Sequence, residues 1–472
     1  MNRHIKKVAV LGSGIMGAGI ACHFANIGVE VLLLDIVPKE HNDLEKKKGL
    51  DTTHPAVRNR IVNTNLAAAI KSKPAPLYHL SFKARIKTGN FEDDMPKLAG
   101  VDWIIEVVVE RLDIKKLVFE QVEQHRTPGT LVSSNTSGIP IKFMNEGRSK
   151  DFQEHFSVTH FFNPPRYLKL FEVVPGPNCK PEVVDFLMNY GTRFLGKSAV
   201  LAKDTPAFIG NRIGIFCIQS LFHQMKPMGL TVEEVDKLTG PVMGRPKSAT
   251  FRTVDVVGLD TLVHVAKGLH ENCPDDERRD SFVLPDFIQT MMDEQWLGSK
   301  SGQGFYKKIK NKEGKSEIQV LDLDTMTYRS KKKVSFATLE KTKKVERVAD
   351  RFPILINGTD KAAQFYRTVL GETFAYVQYR IPEISDDLYQ IDQAMKAGFG
   401  WEHGPFQLWD AVGLSEGIKL IKEAGHKVAP WIETLAATGA TGFYQLNENK
   451  PCLLYTSPSP RDRTRSRMPS SA

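Results

Sequence analysis

The sequence has no window of about 18 uninterrupted apolar residues, so nothing in it reads as a membrane-spanning helix. Its start, M-N-R-H-I-K-K, runs straight into a short apolar strand and lacks the apolar core and small-residue cleavage site of a secretion signal. Cysteine is scarce. Cys22, Cys179, Cys217, Cys273 and Cys452 are scattered with no C-x-x-C pair, which argues against a zinc site and against a disulfide framework. No metal is expected, and thiols in this pattern fit a reduced, cytoplasmic setting. Basic blocks interleaved with aromatics are also missing. The formal charge is +9, but Lys and Arg alternate with acids along most of the chain, so nucleic acid is not the expected partner. A small molecule carrying several phosphates accounts for the excess equally well.

What is present suits a globular chain: 41% hydrophobic and 25% charged residues. At 472 residues it is too long for one core, so several domains are expected. The end is different. From Cys452 the chain reads C-L-L-Y-T-S-P-S-P-R-D-R-T-R-S-R-M-P-S-S-A, without periodicity and with a sudden Ser/Pro/Arg bias. A disordered basic tail is the bland reading. Back-translated, the stretch also matches a transposase end, read primer and flow-cell segment of a sequencing-library adapter. On that reading residues 451–472 are an artefact, and Arg461, Arg463, Arg465 and Arg467 inflate the charge.

Near the N-terminus, the apolar run Val8 to Leu11 leads into G-S-G-I-M-G, then a helix-like stretch to Gly28, then V-E-V-L-L-L-D ending at Asp35. This is strand, tight turn, helix and strand, the context in which G-x-G-x-x-G binds a dinucleotide. Gly12 permits the turn, Gly14 lets the backbone approach a pyrophosphate, and Gly17 allows close packing of the helix. The helix N-terminus offers unpaired N–H groups to phosphate. Asp35, placed to accept from both ribose hydroxyls, repels a 2′-phosphate and favours NAD over NADP. A glycine-rich turn with no ligand is the structural alternative.

Two further runs read as parallel strands: V-D-W-I-I-E-V-V-V-E, ending at Glu110, and T-L-V-S-S-N-T-S, ending at Ser137. Residues just past strand C-termini line the ligand crevice of such sheets. That makes Glu110, Lys115, Asn135 and Ser137 candidates to touch nicotinamide ribose or substrate; Glu110 as a helix-terminal acid and Ser137 as an N-cap are the alternatives. Beyond a polar helix comes H-F-S-V-T-H-F-F-N-P-P, with His160 where a strand leaves the sheet. The following Y-L-K-L-F-E, ending at Glu172, has the pattern to return antiparallel beside it. On spacing alone, an ordinary core histidine is the better reading of His160.

The blocks G-S-G-I-M-G-A-G-I, S-S-N-T-S, H-F-F-N-P, L-K-L-F-E-V-V, K-D-T-P-A-F-I-G-N-R and G-S-K-S-G-Q-G-F-Y, collinear from Lys7 to about Lys308, resemble the L-3-hydroxyacyl-CoA dehydrogenases of fatty-acid β-oxidation. The resemblance implies an NAD-dependent oxidation of L-3-hydroxyacyl-CoA to 3-ketoacyl-CoA, with acyl-CoA as the partner. His160 is then the general base, Glu172 its orienting carboxylate, and Ser137 and Asn211 the groups that hydrogen-bond the reacting oxygen. Glu110 and Lys115 match the family's cofactor-proximal pair. The insert from Pro38 to about Ser81 is expected to form a projecting helical pair beside CoA, with Lys71 and Lys73 as phosphate contacts or simply solvated ends.

A duplication marks the C-terminal half. E-V-D-K-L-T-G and V-D-V-V-G-L are echoed by Q-I-D-Q-A-M-K and W-D-A-V-G-L. Asp236 and Asp255 stand 19 apart, Asp392 and Asp410 18 apart. Two copies of one helical domain are the economical reading. The expected architecture is an α/β Rossmann-type domain over 1–203, then two all-α copies of the dehydrogenase C-terminal domain at 204–310 and 346–450, joined by a lysine-rich linker at 311–345. In single-copy family members this domain makes the homodimer, so a cis pseudo-dimer and a homodimer are both in view. The block W-E-H-G-P-F-Q-L-W-D resembles bifunctional proteins with the dehydrogenase first and an enoyl-CoA hydratase after it, which implies a truncated piece of such an enzyme. Two alternatives compete with this reading: a β-hydroxyacid dehydrogenase with a lysine base, and a non-catalytic NAD-binding protein.

Overall fold

The computed structural model describes residues 3–310, 314–447 and 450–453. They fall into two compact units, Met1–Phe208 and Ile209–Ala472. The boundary lies five residues beyond the expected one, because Thr205 to Phe208 still pack with the first unit.

The first unit is one eight-stranded sheet in the order β3-β2-β1-β4-β5-β6-β7-β8. The strands are β1 Lys7–Leu11, β2 Glu30–Asp35, β3 Ile86–Asn90, β4 Trp103–Glu106, β5 Leu131–Ser134, β6 Phe156–Phe161, β7 Leu170–Pro175 and β8 Ser198–Leu201. Strands β1 to β6 pair in parallel in the doubly wound order, and β7 returns antiparallel against β6. V-A-V-L and W-I-I are buried throughout because a parallel sheet is covered on both faces. The helix α1, Ile15–Asn26, carries Phe24 against Trp103, with ring centroids 5.4 Å apart and edge-on.

Two expectations change here. β4 stops at Glu106 rather than Glu110, because the Glu106 carboxylate turns back to accept from the Val108 N–H at 2.7 Å. The insert does not project. Its main helix, Arg60–Lys71, buries Val62 and Leu66 in the same core as Val31 and Ile86. Its Asn65 amide also reaches back to the Ser13 hydroxyl at 3.0 Å.

The second unit holds both helical copies, and their equivalence extends to individual hydrogen bonds. In the first copy the Asp255 carboxylate accepts from the N–H groups of Phe305 (2.8 Å) and Tyr306 (2.9 Å), while Asp236 accepts from the Tyr306 hydroxyl (2.8 Å) and the Phe251 N–H (2.7 Å). In the second, Asp410 accepts from Phe443 (2.7 Å) and Tyr444 (2.9 Å), and Asp392 from the Tyr444 hydroxyl (2.7 Å) and the Phe406 N–H (2.9 Å). The G-F-Y triplets at 304–306 and 442–444 are thus a third repeated element, not singled out in the sequence.

The stretch 311–345 is not a bare linker. β9 Tyr306–Lys310, β10 Ser316–Asp322 and β11 Thr327–Ser330 form an antiparallel sheet that buries Val320 and Leu321, and a short helix follows at Ala337–Thr342. Residues 451–453 of the expected artefactual tail pair in a two-stranded ribbon, β12 Tyr444–Asn447 with β13 Lys450–Leu453. Residues 454–472 lie outside the described residues.

The copies meet through their first helices, Gly210–Met225 and Lys361–Tyr379. The rings of Phe216 and Tyr376 stack at 3.7 Å, and the Tyr376 hydroxyl accepts from Arg212 at 2.6 Å. Arg212 and Arg380, both fully buried, converge on Asp276 Oδ2 at 2.6 and 3.0 Å. Glu383 also pairs with both guanidiniums and Glu277 with Arg380, but those two carboxylates are more than a third exposed, so Asp276 is the buried counter-charge that the two arginines share. Asp276→Ala should therefore destabilise the chain by about 3–5 kcal/mol, read as a lower urea midpoint, whereas Arg111→Ala, in an exposed pair with Asp113, should cost far less.

Candidate active site

The glycine loop has the geometry a dinucleotide requires. Gly12 sits at φ +105°, and a Cβ there would lie 2.5 Å from the Val107 carbonyl oxygen; one at Gly17 would overlap the Gly12 carbonyl oxygen. Gly14 is the opposite case, since a Cβ would meet nothing within 4 Å. The room is on the outside of the loop, where a pyrophosphate approaches. Gly14 caps α1 with no side-chain hydrogen bond, so the helix N-terminus keeps its donors and positive dipole end for an anion. Asp35 ends β2 beside this loop and accepts from the Ser13 N–H at 2.7 Å, from the Ser13 hydroxyl, and from the Ile36 N–H at 2.8 Å.

His160 and Glu172 are directly opposed in the antiparallel β6–β7 pair. Both side chains point to one face, and His160 Nδ1 lies 2.6 Å from Glu172 Oε2. Glu172 is fully buried and His160 nearly so. Phe162 and Phe208 flank the imidazole, with centroids 4.7 and 5.7 Å away. Placing Phe208 there requires left-handed backbone at two consecutive non-glycine residues, Ala207 (φ 61°) and Phe208 (φ 50°). Such a conformation costs about 1–2 kcal/mol per residue and is concentrated at functional sites. Asn135 pins the same strand end, its Oδ1 accepting from the Phe161 N–H at 2.8 Å.

Beyond β4 lies a buried charge cluster. Lys115 is 1% exposed and donates to both Glu106 oxygens at 2.8 and 3.0 Å, with Glu110 Oε2 at 3.2 Å. Its ammonium is thus engaged by these two carboxylates at the end of β4. Glu110 Oε1 in turn accepts from the Thr136 hydroxyl and, at 3.1 Å, from the Ser137 N–H. Glu106 also accepts from the Ser134 hydroxyl at 2.5 Å; burial pushes its carboxyl up from the usual range, opposed by the Lys115 ammonium. Sequence reasoning missed Glu106 and Thr136. The available signal was an acid inside the apolar run W-I-I-E, since a buried carboxylate implies a partner nearby.

Lys71 and Lys73 lie exposed at and just beyond the end of the insert helix. Asn211 occupies the first turn of the helix Gly210–Met225, in the second unit. Among the described residues no group of three or more His, Cys, Asp or Glu is placed to hold a metal ion, and no helix is long and apolar enough to cross a membrane.

Residues 7–205 match the NAD binding domain of 3-hydroxyacyl-CoA dehydrogenase, and residues 208–308 and 369–444 each match its C-terminal domain. A Deinococcus radiodurans protein named "Probable 3-hydroxyacyl-CoA dehydrogenase" is 44% identical over 66% of this chain and 85% of its own length. The chain belongs to the 3-hydroxyacyl-CoA dehydrogenase family. A Bacillus subtilis relative of the same name is 47% identical over 96% of this chain, which spans 57% of that relative's length. Other relatives are named as fatty acid oxidation enzymes. A crystal structure titled 3-hydroxybutyryl-CoA dehydrogenase, from Escherichia coli K12, shares the fold over 98% of both chains, with a TM-score of 0.59 at 20% identity. Residues 7–205, the glycine loop among them, are thus an NAD-binding dehydrogenase domain. Asp35→Ser should weaken NADH binding by about tenfold and narrow the preference over NADPH by a similar factor, as followed by fluorescence titration with each.

Proposed function

We propose that the chain oxidises L-3-hydroxyacyl-CoA to 3-ketoacyl-CoA in fatty-acid β-oxidation, with NAD as acceptor, in the cytoplasm. The observation that carries the reading is the buried His160–Glu172 pair at 2.6 Å. With Nδ1–H donated to the carboxylate, the imidazole is fixed in the tautomer that leaves Nε2 to take the C3 hydroxyl proton. The imidazolium formed is held by the Glu172 side chain beside it. Ser137 and Asn211 hold the reacting oxygen as neutral donors that do not compete for the proton. NAD, when bound, would supply the acceptor for the C3 hydride. Glu110, braced by Lys115 and Thr136, positions the loop carrying Ser137 beside the nicotinamide ribose, and Lys71 and Lys73 serve CoA phosphates.

The domain organisation follows the same proposal: a nucleotide domain, two helical copies, and a chain that is the dehydrogenase part of a longer bifunctional enzyme. No hydratase activity is assigned to these residues. The cis pairing of the two copies, with Phe216 on Tyr376, takes the place of a homodimer contact.

Two measurements test these readings. NADH formation from L-3-hydroxybutyryl-CoA should fall by about 10²–10⁴-fold in His160→Ala while NADH binding is kept. Equal rates in both proteins would return His160 to a core role. No activity in the unmutated chain, with NADH still bound, would favour a non-catalytic NAD-binding protein or a different hydroxyacid substrate. For the pairing, sedimentation should show a monomer at micromolar concentration; an obligate homodimer through the first copy would refute it.

A further inference from the structure

Within the second unit, a cleft of about 1590 Å³ opens between the first helical copy, the β9–β10 sheet and the segment 331–343. Nine lysines and arginines line it against three carboxylates. Each of the three acids is already committed. Glu233, buried, accepts from Arg329 at 2.6 and 3.2 Å. Asp236 is held by the Tyr306 hydroxyl and by backbone N–H groups. Glu340 pairs with Lys343.

The cations are less satisfied. Among the described residues, the ammonium groups of Lys237, Lys247, Lys331, Lys332 and Lys333 make no ion pair, and all five residues are exposed. They come from three separate elements: the helix Val232–Thr239, the turn after Pro246, and the chain leaving β11. Like charges lining one concavity repel, and the concavity focuses their field. The same cleft has an apolar side, with Val334 and Phe336 half-buried and Ile318 56% exposed. Concave sites that pair apolar walls with a few converging polar groups are the usual form of small-molecule sites.

We propose that this cleft binds the polyphosphate group of a nucleotide-type ligand, the phosphates on Lys331 to Lys333 and Lys247, and the ring body against Val334 and Phe336. The site stands apart from the dehydrogenase reading and does not depend on it.

The test is calorimetric titration of the full chain with ATP, in saturating NADH so that the glycine-loop site is filled, with inorganic tripolyphosphate as competitor. ATP should bind and tripolyphosphate should displace it. A combined Lys331→Gln, Lys332→Gln, Lys333→Gln variant should weaken ATP at least about tenfold, and Lys247→Gln, on a different element, about threefold. NADH binding should be unchanged in both variants, which separates failure of this site from failure of the proposed function. Equal ATP affinity in the unmutated chain and both variants overturns the proposal. So does the absence of ATP binding at millimolar concentration, and binding of polyglutamate without ATP would assign the cleft to an acidic protein partner.

Discussion

Glu172 is removed from water altogether, and a carboxylate in that position is stable only if donors reach it from within the fold. The antiparallel return of β7 along β6 supplies one, by setting His160 opposite it in register. A slip of β7 by one residue would turn Glu172 to the other face of the sheet, away from His160. Six strands in parallel form one slab, and the one reversal of direction among them and β7 occurs at His160 and Glu172.

The same constraint recurs elsewhere with different partners. Glu106 is met by Lys115 and Ser134, Asp276 by two arginines, and Asp236 and Asp392 by a tyrosine hydroxyl and backbone N–H groups. These buried carboxylates tie elements distant in sequence. Asp276 is the strongest case, since it belongs to the first copy while Arg380 belongs to the second. Hydrophobic burial makes the cores; the ionised groups fix which surfaces meet, because an alternative packing would leave a charge unpaired.

Much of the first unit was legible in sequence because its signals are local. G-S-G-I-M-G needs particular glycines at particular places, and strand ends announce themselves by hydroxyls and acids. His160 and Glu172 were legible as a pair only through the hairpin pattern and the family resemblance, since spacing alone favoured a core histidine. Glu106 was hidden inside an apolar run, where its meaning depends on Lys115, nine residues away and one helical turn into the next element. The stretch 311–345 misled for a related reason. Its lysines dominate the composition, but I-Q-V-L pairs with Y-K-K-I-K, and strand pairing is a non-local property that composition does not report. The insert failed likewise: Val62 and Leu66 give a helix an apolar face, but not which surface that face will meet.

The duplication has an outcome beyond packing. One nucleotide-binding domain accompanies two helical copies, so in a chain of this design the second copy has no cofactor domain of its own to complete. What it shares with the first copy is the Asp392, Asp410 and Tyr444 clasp that folds it, and its Tyr376 face docks it against that copy. A protein that gains a partner by copying itself thereby acquires a segment whose surface is free to change while its frame is not.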